Sequence, residues 1–127
     1  MKTISRKKET LATNYSLGEL IVEGIEDKKG IKIVRLDLRD ISDAVCNEFI
    51  ICEGTSTTHV NAIADSVTDK VKKESGEMPF SMEGMRQGEW VLVDYVDTVL
   101  HIFTHEKRNF YQLEDLWSDA KIISKSA

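Results

Sequence analysis

The sequence of 127 residues is poor in three features: it has one proline, two cysteines and no long apolar run. A single proline and the lack of a Gly/Ser-rich linker leave nothing that would divide the chain, and its length fits one domain. No apolar run approaches the ~20 residues that a helix needs to cross a bilayer. The basic N-terminal segment is not followed by an apolar region, so we expect no signal peptide and a cytoplasmic location.

The expected domain covers residues 14–122, between a mobile basic arm over 1–13 and a tail over 123–127. The arm lacks hydrophobic periodicity and is rich in lysine and arginine. The formal net charge of the whole chain is −5. That charge argues against a protein held mainly by nucleic-acid phosphates and suits a basic protein partner.

Cysteine and histidine are too few and too widely spaced to predict a metal or redox site. Cys46 and Cys52 match no zinc or redox spacing, and we expect both thiols to be reduced and buried. His101 and His105 lie on and just after a predicted strand, and His59 lies in the first turn of a helix, so no helical i, i+4 pair exists. We therefore expect no bound metal, no cofactor and no Cys–His nucleophilic pair.

Three segments have helical periodicity. The first has capping-box spacing at Ser16 and Glu19, and Gly30 is placed to end it. The second begins with a cap at Ser56 or Thr55 and is expected to stop at Gly76. The third lies within HEKRNFYQLEDLWSDA, whose large apolar residues recur at helical spacing; these are Phe110, Leu113, Leu116 and Trp117. Phe110 and Trp117 are assigned to helix packing.

Strand patterns occupy the rest of the domain. IKIVRLDL reads as a strand, NEFIICEG as a central strand apolar on both faces, and MPFSMEG as a short extended segment. GEWVLVDYVDTVLHIF follows as two strands of an antiparallel hairpin. The order predicts an α/β (α+β) fold: a mixed sheet of about five strands with flanking helices.

The hairpin turn has no glycine. A two-residue type I′ turn would place Val96 or its neighbour at positive φ, which is costly for a β-branched residue. We therefore expect a longer or different turn.

A phosphate-binding function has some support in EGTSTTH, a strand-to-helix turn with one glycine and several hydroxyl residues. A nucleotidyltransferase would follow such a turn with a strand that carries two alternating acids for magnesium. Here a helix follows instead. Asp94 and Asp97 are three residues apart, which does not put two strand side chains on one face. The pair of metal-binding acids is missing.

A binding function has support in the acidic and aromatic residues around the hairpin. Residues 77–100 contain five acids and one base, with Trp90 and Tyr95 among them. Acids around aromatic anchors are typical of a surface that docks onto a basic protein. Periodicity equally allows Trp90 and Tyr95 to be core residues with a solvated acidic rim.

Four stretches together resemble the ribosomal silencing factor family, also called RsfS or Iojap-like. They are DLRDIS, FIICEGTSTTHVNAIAD, MEGMRQGEWVLVDYVDTVLHIF and RNFYQLEDLWSDA, and the resemblance covers about residues 14–120. Val96 departs from the pattern, in which glycine is frequent at this position. The resemblance implies a nucleotidyltransferase-like core that has lost its catalytic residues.

The resemblance also implies a function. A member of this family would bind the large ribosomal subunit through ribosomal protein L fourteen, block subunit association sterically and repress translation under nutrient limitation. Separately, we expect the basic arm, which lies outside the resemblance, to make at most a minor contact with ribosomal RNA, and the protein to be a monomer or weak homodimer. Two alternatives stay open: a residual nucleotidyl- or phosphotransferase, and a large-subunit assembly factor.

The family pattern points to the hairpin as the contact region, without saying which of its faces is outward. The expected partner contacts are Trp90, Asp94, Tyr95, Asp97 and His101, with Glu83 and Glu89 as weaker candidates.

Overall fold

The computed structural model describes residues 16–41, 44, 46–111 and 121–125. Within these ranges the chain forms three helices and six strands. In order they are α1 (Leu17–Asp27), β1 (Ile31–Asp37), β2 (Glu48–Gly54), α2 (Thr57–Ser75), β3 (Ser81–Glu83), β4 (Trp90–Asp94), β5 (Thr98–Thr104), α3 (His105–Tyr111) and β6 (Lys121–Lys125). The arm expected over 1–13 lies outside the described residues, and so do the side chains at 110, 113, 116 and 117, of which 110 and 117 are assigned to helix packing. None of the described helices has both the length and the apolar character that a bilayer span needs.

The strands form one mixed sheet in the order β3-β4-β5-β2-β1-β6. β2 and β5 are parallel, and the other neighbours are antiparallel. The predicted fold class is confirmed, with six strands in place of about five. The missed strand is β6, which pairs with β1 and takes up residues 123–125 of the expected tail. Its five residues are too few for a period to be recognised, so its strand character follows from its pairing.

Helix α1 begins as predicted and ends differently. The amide of Glu19 donates to the Ser16 hydroxyl (3.2 Å), and the Ser16 amide donates back to the Glu19 carboxylate (3.0 Å). At the other end it is Lys29, at φ 61°, that takes the left-handed conformation expected of Gly30. Gly30 is required for space instead, because a Cβ there would collide with Ile25.

Helix α2 has both predicted ends. The Ser56 hydroxyl accepts from the amide of His59 at 3.1 Å, so Ser56 is the cap. Gly76 ends the helix at φ 77°, a conformation that glycine adopts without steric cost.

The sheet has two faces with different cover. On the first, here called the helix face, apolar residues of α1 and α2 pack with β-strand residues such as Ile50, Val93 and Leu100. On the second face, Phe49, Ile51 and their neighbours pack with the segment that follows β1. Alternation along each strand therefore decides which face a hairpin residue belongs to.

The hairpin between β4 and β5 is antiparallel, as predicted. The amide of Tyr95 donates to the Thr98 carbonyl (2.9 Å), so the loop is only Val96 and Asp97. The turn is therefore not longer than two residues, and Val96 takes φ 76° in spite of its β-branched side chain. The turn does differ from type I′: the Asp97 amide donates to the Tyr95 carbonyl two residues back (3.0 Å), as in a γ-turn. The carboxylate of Asp94 accepts from the Val96 amide (2.7 Å) and holds this conformation.

Candidate functional site

Strands β3 and β4, which are neighbours at one edge of the sheet, bring five partly exposed side chains together on the second face. The register pairs Glu83 with Leu92 and Ser81 with Asp94, and Trp90 begins β4 on the same side. We call these five residues the β3–β4 strip. The strip brings together three of the predicted contacts: Glu83, Trp90 and Asp94.

Exposure falls steeply from this strip towards the centre of the sheet. In one cross-strand row Glu83 is exposed, Leu92 is half-buried, His101 is 4% exposed and Ile51 is fully buried. Cross-strand neighbours share a face, so this row is one continuous surface that turns into core. The strip is therefore one of the edges at which the described part of the second face meets solvent; Ile122, paired with Leu36 at the opposite edge, is another.

Trp90 lies on the boundary between surface and core. Its indole N–H donates to Nδ1 of His101 at 3.1 Å, and its ring stacks on Phe103 with centroids 5.1 Å apart. The side chain is only half-buried. Trp90 therefore packs on core rings while part of its side chain remains accessible, and its role as a docking contact stays a prediction.

Two further predicted acids flank the strip at its ends. Glu89 precedes β4, is exposed and lies 3.7 Å from Lys107. Asp97 is exposed in the hairpin turn, beyond Asp94. Glu83 and Asp94 lie beside the half-buried Trp90 and Leu92 within the strip, and Glu89 and Asp97 add acidic groups next to it along the chain.

Tyr95 does not belong to this surface, although the sequence suggested it as a contact. It is one residue past Asp94 along the alternation, so it points to the helix face, where it is 4% exposed. Burial raises the pKa of its hydroxyl to about 12. Tyr95 is a core residue. His101 is likewise too buried for a direct contact, but it lies directly beneath Trp90.

Sequence reasoning missed two members of the strip. Leu92 could have been found, because it shares the alternation of Trp90 and Asp94. Ser81 could not, because its place depends on the register of a three-residue strand. Three exposed apolar side chains near the hairpin turn were also missed; these are Met78, Phe80 and Val96.

The positions of the hydroxyl-rich turn and of the hairpin acids do not favour phosphotransfer. The hydroxyl-rich turn after Gly54 follows the end of β2, whereas the carbonyl of Asp97 accepts from the amide of Glu48 (3.1 Å) at the start of the same strand. At about 3.3 Å per residue, six steps along β2 separate these positions by roughly 20 Å. The acids at the hairpin turn therefore cannot share a site with the hydroxyl-rich turn.

Nucleophilic and metal chemistry have no assembled site in the described part of the chain. Cys52 faces the helices while His101, beside it across the β2–β5 pair, faces the other way. Burial raises the pKa of Cys46 to about 11 and that of Cys52 further still. Within the described ranges, no three potential ligand side chains lie close enough to hold a metal ion.

A buried charge cluster at the other end of the sheet also went unpredicted. Glu53, 3% exposed, lies 3.4 Å from Arg108 and 3.2 Å from His105. Arg108 also donates to the carbonyl of Lys32 at 2.6 Å. These bonds tie α3 to β1 and β2, which is a structural role.

Comparison with known proteins identifies the family. The family described as "Ribosomal silencing factor during starvation" matches residues 12–127. The chain is 39% identical over 111 residues to the ribosomal silencing factor RsfS of Halalkalibacterium halodurans, covering 87% of this chain and 93% of that protein. A crystal structure from Chromobacterium violaceum superposes with a TM-score of 0.75 at 34% identity, covering 87% of this chain and 92% of that one.

A shorter stretch of the chain is similar to a protein named for a role in mitochondria. The mouse protein named "Mitochondrial assembly of ribosomal large subunit protein 1" is 33% identical over 72 residues, covering 55% of this chain and 32% of that protein. The bacterial matches span nearly all of both partners, and the family match extends across the whole sheet, from α1 to β6. The chain therefore belongs to the ribosomal silencing factor family.

Proposed function

We propose that this protein is a cytoplasmic ribosomal silencing factor that binds the large ribosomal subunit and prevents the small subunit from joining it. The observation that carries this proposal is the family match over residues 12–127. The direct partner is ribosomal protein L fourteen, as the resemblance in the sequence implies. Translation then falls when nutrients are scarce, because fewer complete ribosomes form.

The β3–β4 strip is the docking surface in this proposal. Trp90 and Leu92 supply apolar contact area, and an amphipathic aromatic ring that is already partly packed is typical of an interface anchor. The surrounding acids fit a basic ribosomal protein, since opposite charges speed association and disfavour wrong partners. The overall charge of −5 keeps most ribosomal RNA at a distance, so the RNA contact is limited to the basic arm.

Silencing by this route needs no chemical step. The bound protein, acting as a monomer or weak homodimer, occupies space that a bridge between the subunits requires. The separation between the hydroxyl-rich turn and the acids at the hairpin supports a binding protein over a residual nucleotidyl- or phosphotransferase. A transferase would show turnover of magnesium–nucleotide that disappears on replacing Asp94.

A second candidate is a large-subunit assembly factor. It is favoured by the likeness to the mouse mitochondrial protein whose name gives that role. Both candidates bind the large subunit. They differ in the particle that they bind. An assembly factor prefers immature large subunits, whereas a silencing factor also binds mature large subunits and keeps the small subunit from joining them.

The test of binding is a titration of purified L fourteen and, separately, of mature large subunits with labelled protein. We expect saturable binding to both, weakened by salt because part of the attraction is between charges. Absence of binding to mature large subunits at low salt would overturn the silencing proposal. Binding to immature particles alone would establish the assembly role in its place.

A further inference from the structure

His101 is a polar side chain in an apolar aromatic cluster. It is 4% exposed, its ring packs edge-on against Phe49 with centroids 4.7 Å apart, and it lies parallel to Phe103 at 6.2 Å. The remaining ring of the cluster is that of Trp90, at 6.0 Å. An apolar side chain of similar size would fill this position without a polar atom to desolvate.

The hydrogen bond between the two side chains fixes the tautomer of His101. An indole N–H can only donate, so Nδ1 of His101 must accept the bond from Trp90. The neutral imidazole then carries its proton on Nε2. Burial lowers the pKa of His101 to about 4, which keeps it neutral near pH 7 and preserves Nδ1 as an acceptor.

The other ring nitrogen of His101, Nε2, makes a histidine at this position unfavourable for the stability of the fold. Nε2 is buried and has no hydrogen-bond partner among the described residues. A buried N–H group without a partner destabilises the fold, and a polar group retained at such a cost calls for an explanation. The bond that Nδ1 accepts from Trp90 is the interaction that distinguishes histidine from leucine here.

We propose that His101 is a positioning residue for docking: it holds the Trp90 indole in one orientation, so that the anchor of the β3–β4 strip is preformed before the partner arrives. The bond to Nδ1 fixes one edge of the indole, and the stacking on Phe103 fixes its plane. A tryptophan side chain has few rotatable bonds, so two restraints suffice to order it. This inference rests on the proposed function, because it assigns a role within the same surface.

The expected gain is in affinity. Immobilising one side chain on binding costs about 0.5–1.5 kcal/mol, which corresponds to roughly a 2- to 10-fold change in Kd. A partner that meets an ordered Trp90 avoids that cost. Loss of the acceptor at Nδ1 should weaken docking by that factor, even where the fold is unharmed.

A matched pair of variants separates positioning from packing. His101→Asn places an amide oxygen near the position of Nδ1 and so keeps an acceptor, whereas His101→Leu has the same branched shape and no acceptor. Asn buries further unpaired polar atoms, so His101→Leu should melt at the higher temperature. Affinity should rank the other way: Leu should lose about 2- to 10-fold relative to wild type and Asn should recover most of that loss.

The measurement is the Kd for isolated large ribosomal subunits, with melting temperature and the amide-region NMR signal of the Trp90 indole N–H as companions. The indole signal, assigned by its loss in Trp90→Phe, should keep a hydrogen-bonded shift in wild type and Asn and lose it in Leu. In the Trp90→Phe background, the change from His101 to Leu should leave Kd unaltered, because there is no indole N–H to hold.

The outcomes are distinct. Equal affinity of the Leu and Asn variants, or affinity that follows melting temperature, would overturn the positioning role while leaving the docking surface in place. Failure of the wild type itself to bind the subunit would overturn the proposed function, and the positioning role with it.

Discussion

Two residues of the hairpin depart from what their side-chain chemistry favours. His101 buries an imidazole among aromatic rings, and Val96 puts a β-branched side chain at positive φ. Each departure has a local bond that holds it: the indole of Trp90 for the first, and the carboxylate of Asp94 for the second. Each also predicts a measurable effect on stability.

The first prediction concerns pH and His101. Its ordinary pKa of 6.5 falls to about 4 in the folded protein because of burial. Between these values the unfolded chain binds a proton that the folded chain does not, so stability falls as pH is lowered from 6.5 to 4. The contribution is about 3 kcal/mol, present in full above pH 6.5 and lost below pH 4.

Urea unfolding of wild type and His101→Leu across that pH range measures this contribution. Other groups titrate equally in both proteins, so the difference between the two isolates His101. Parallel stability profiles would show that His101 does not resist protonation in the fold.

The second prediction concerns the strained turn. Val96→Gly should stabilise the protein by about 1 kcal/mol, since relief of positive φ outweighs the extra freedom of glycine in the unfolded chain. Gly76→Ala is the matched control, in which a side chain is added at positive φ. Gly76 has almost the same φ as Val96, and a Cβ there would meet no atom within 4 Å. It should cost about 1 kcal/mol through backbone strain alone. The two shifts are read from denaturant midpoints, and shifts of the same sign would contradict the account.

Among the elements of the fold, the two long helices cover one face of the sheet and the hairpin contributes to the exposed edge of the other. α1 and α2 cover one face of the sheet, and that cover is what makes Tyr95 a core residue. The helices approach closely at Gly24, whose carbonyl accepts from the hydroxyl of Ser66 at 2.8 Å. The opposite face is left to carry the β3–β4 strip at its edge.

The third prediction tests that close approach. A Cβ on Gly24 would lie 2.7 Å from the Cα of Val67, so Gly24→Ala must push α1 away from α2. Overpacking of this kind costs about 1–3 kcal/mol, which exceeds the gain of up to ~1 kcal/mol from the better helix propensity of alanine. Ser66→Ala, which loses the hydrogen bond without adding volume, should cost less. Calorimetry that finds Gly24→Ala neutral or stabilising would show that the helices can separate freely.

Sequence patterns predicted most elements and failed where the structure depends on distant pairing. The caps at Ser16, Ser56 and Gly76 are local chemistry, and each was found. The strand β6 and the register of β3 are decided by neighbours far along the chain, so no local period reveals them. Alternation correctly separated Trp90 from Tyr95, yet it could not say which face the helices cover, and the contact list therefore included a core residue.

At the scale of the whole molecule, charge and surface act together. The net charge is −5, and two acids, Glu83 and Asp94, lie in the strip that carries Trp90. Such an arrangement fits the proposed function, in which a small acidic protein finds a basic protein on a particle made mostly of RNA. The predictions at this scale concern association with the ribosome.

The fourth prediction concerns the acids. Asp94→Asn with Asp97→Asn should slow association with large subunits and reduce its salt dependence, because charges at the rim of an interface act mainly through steering. Stability should change little, since Asn at position 94 keeps an oxygen for the Val96 amide. Stopped-flow association at several salt concentrations measures the effect. An association rate equal to wild type at low salt would remove both acids from the docking surface.

The proposed block of subunit joining is measured by the fraction of separated subunits that rejoin when the protein is added, read from sedimentation. The protein should travel with the large subunit and lower the joined fraction. Trp90→Ala should lose about 2 kcal/mol of binding, or roughly 30-fold in Kd, and with it the effect. Phe80→Ser, which removes an exposed aromatic ring outside the strip, should act as wild type does. An unchanged joined fraction at saturating wild-type protein, or equal silencing by a folded Trp90→Ala protein, would contradict the account.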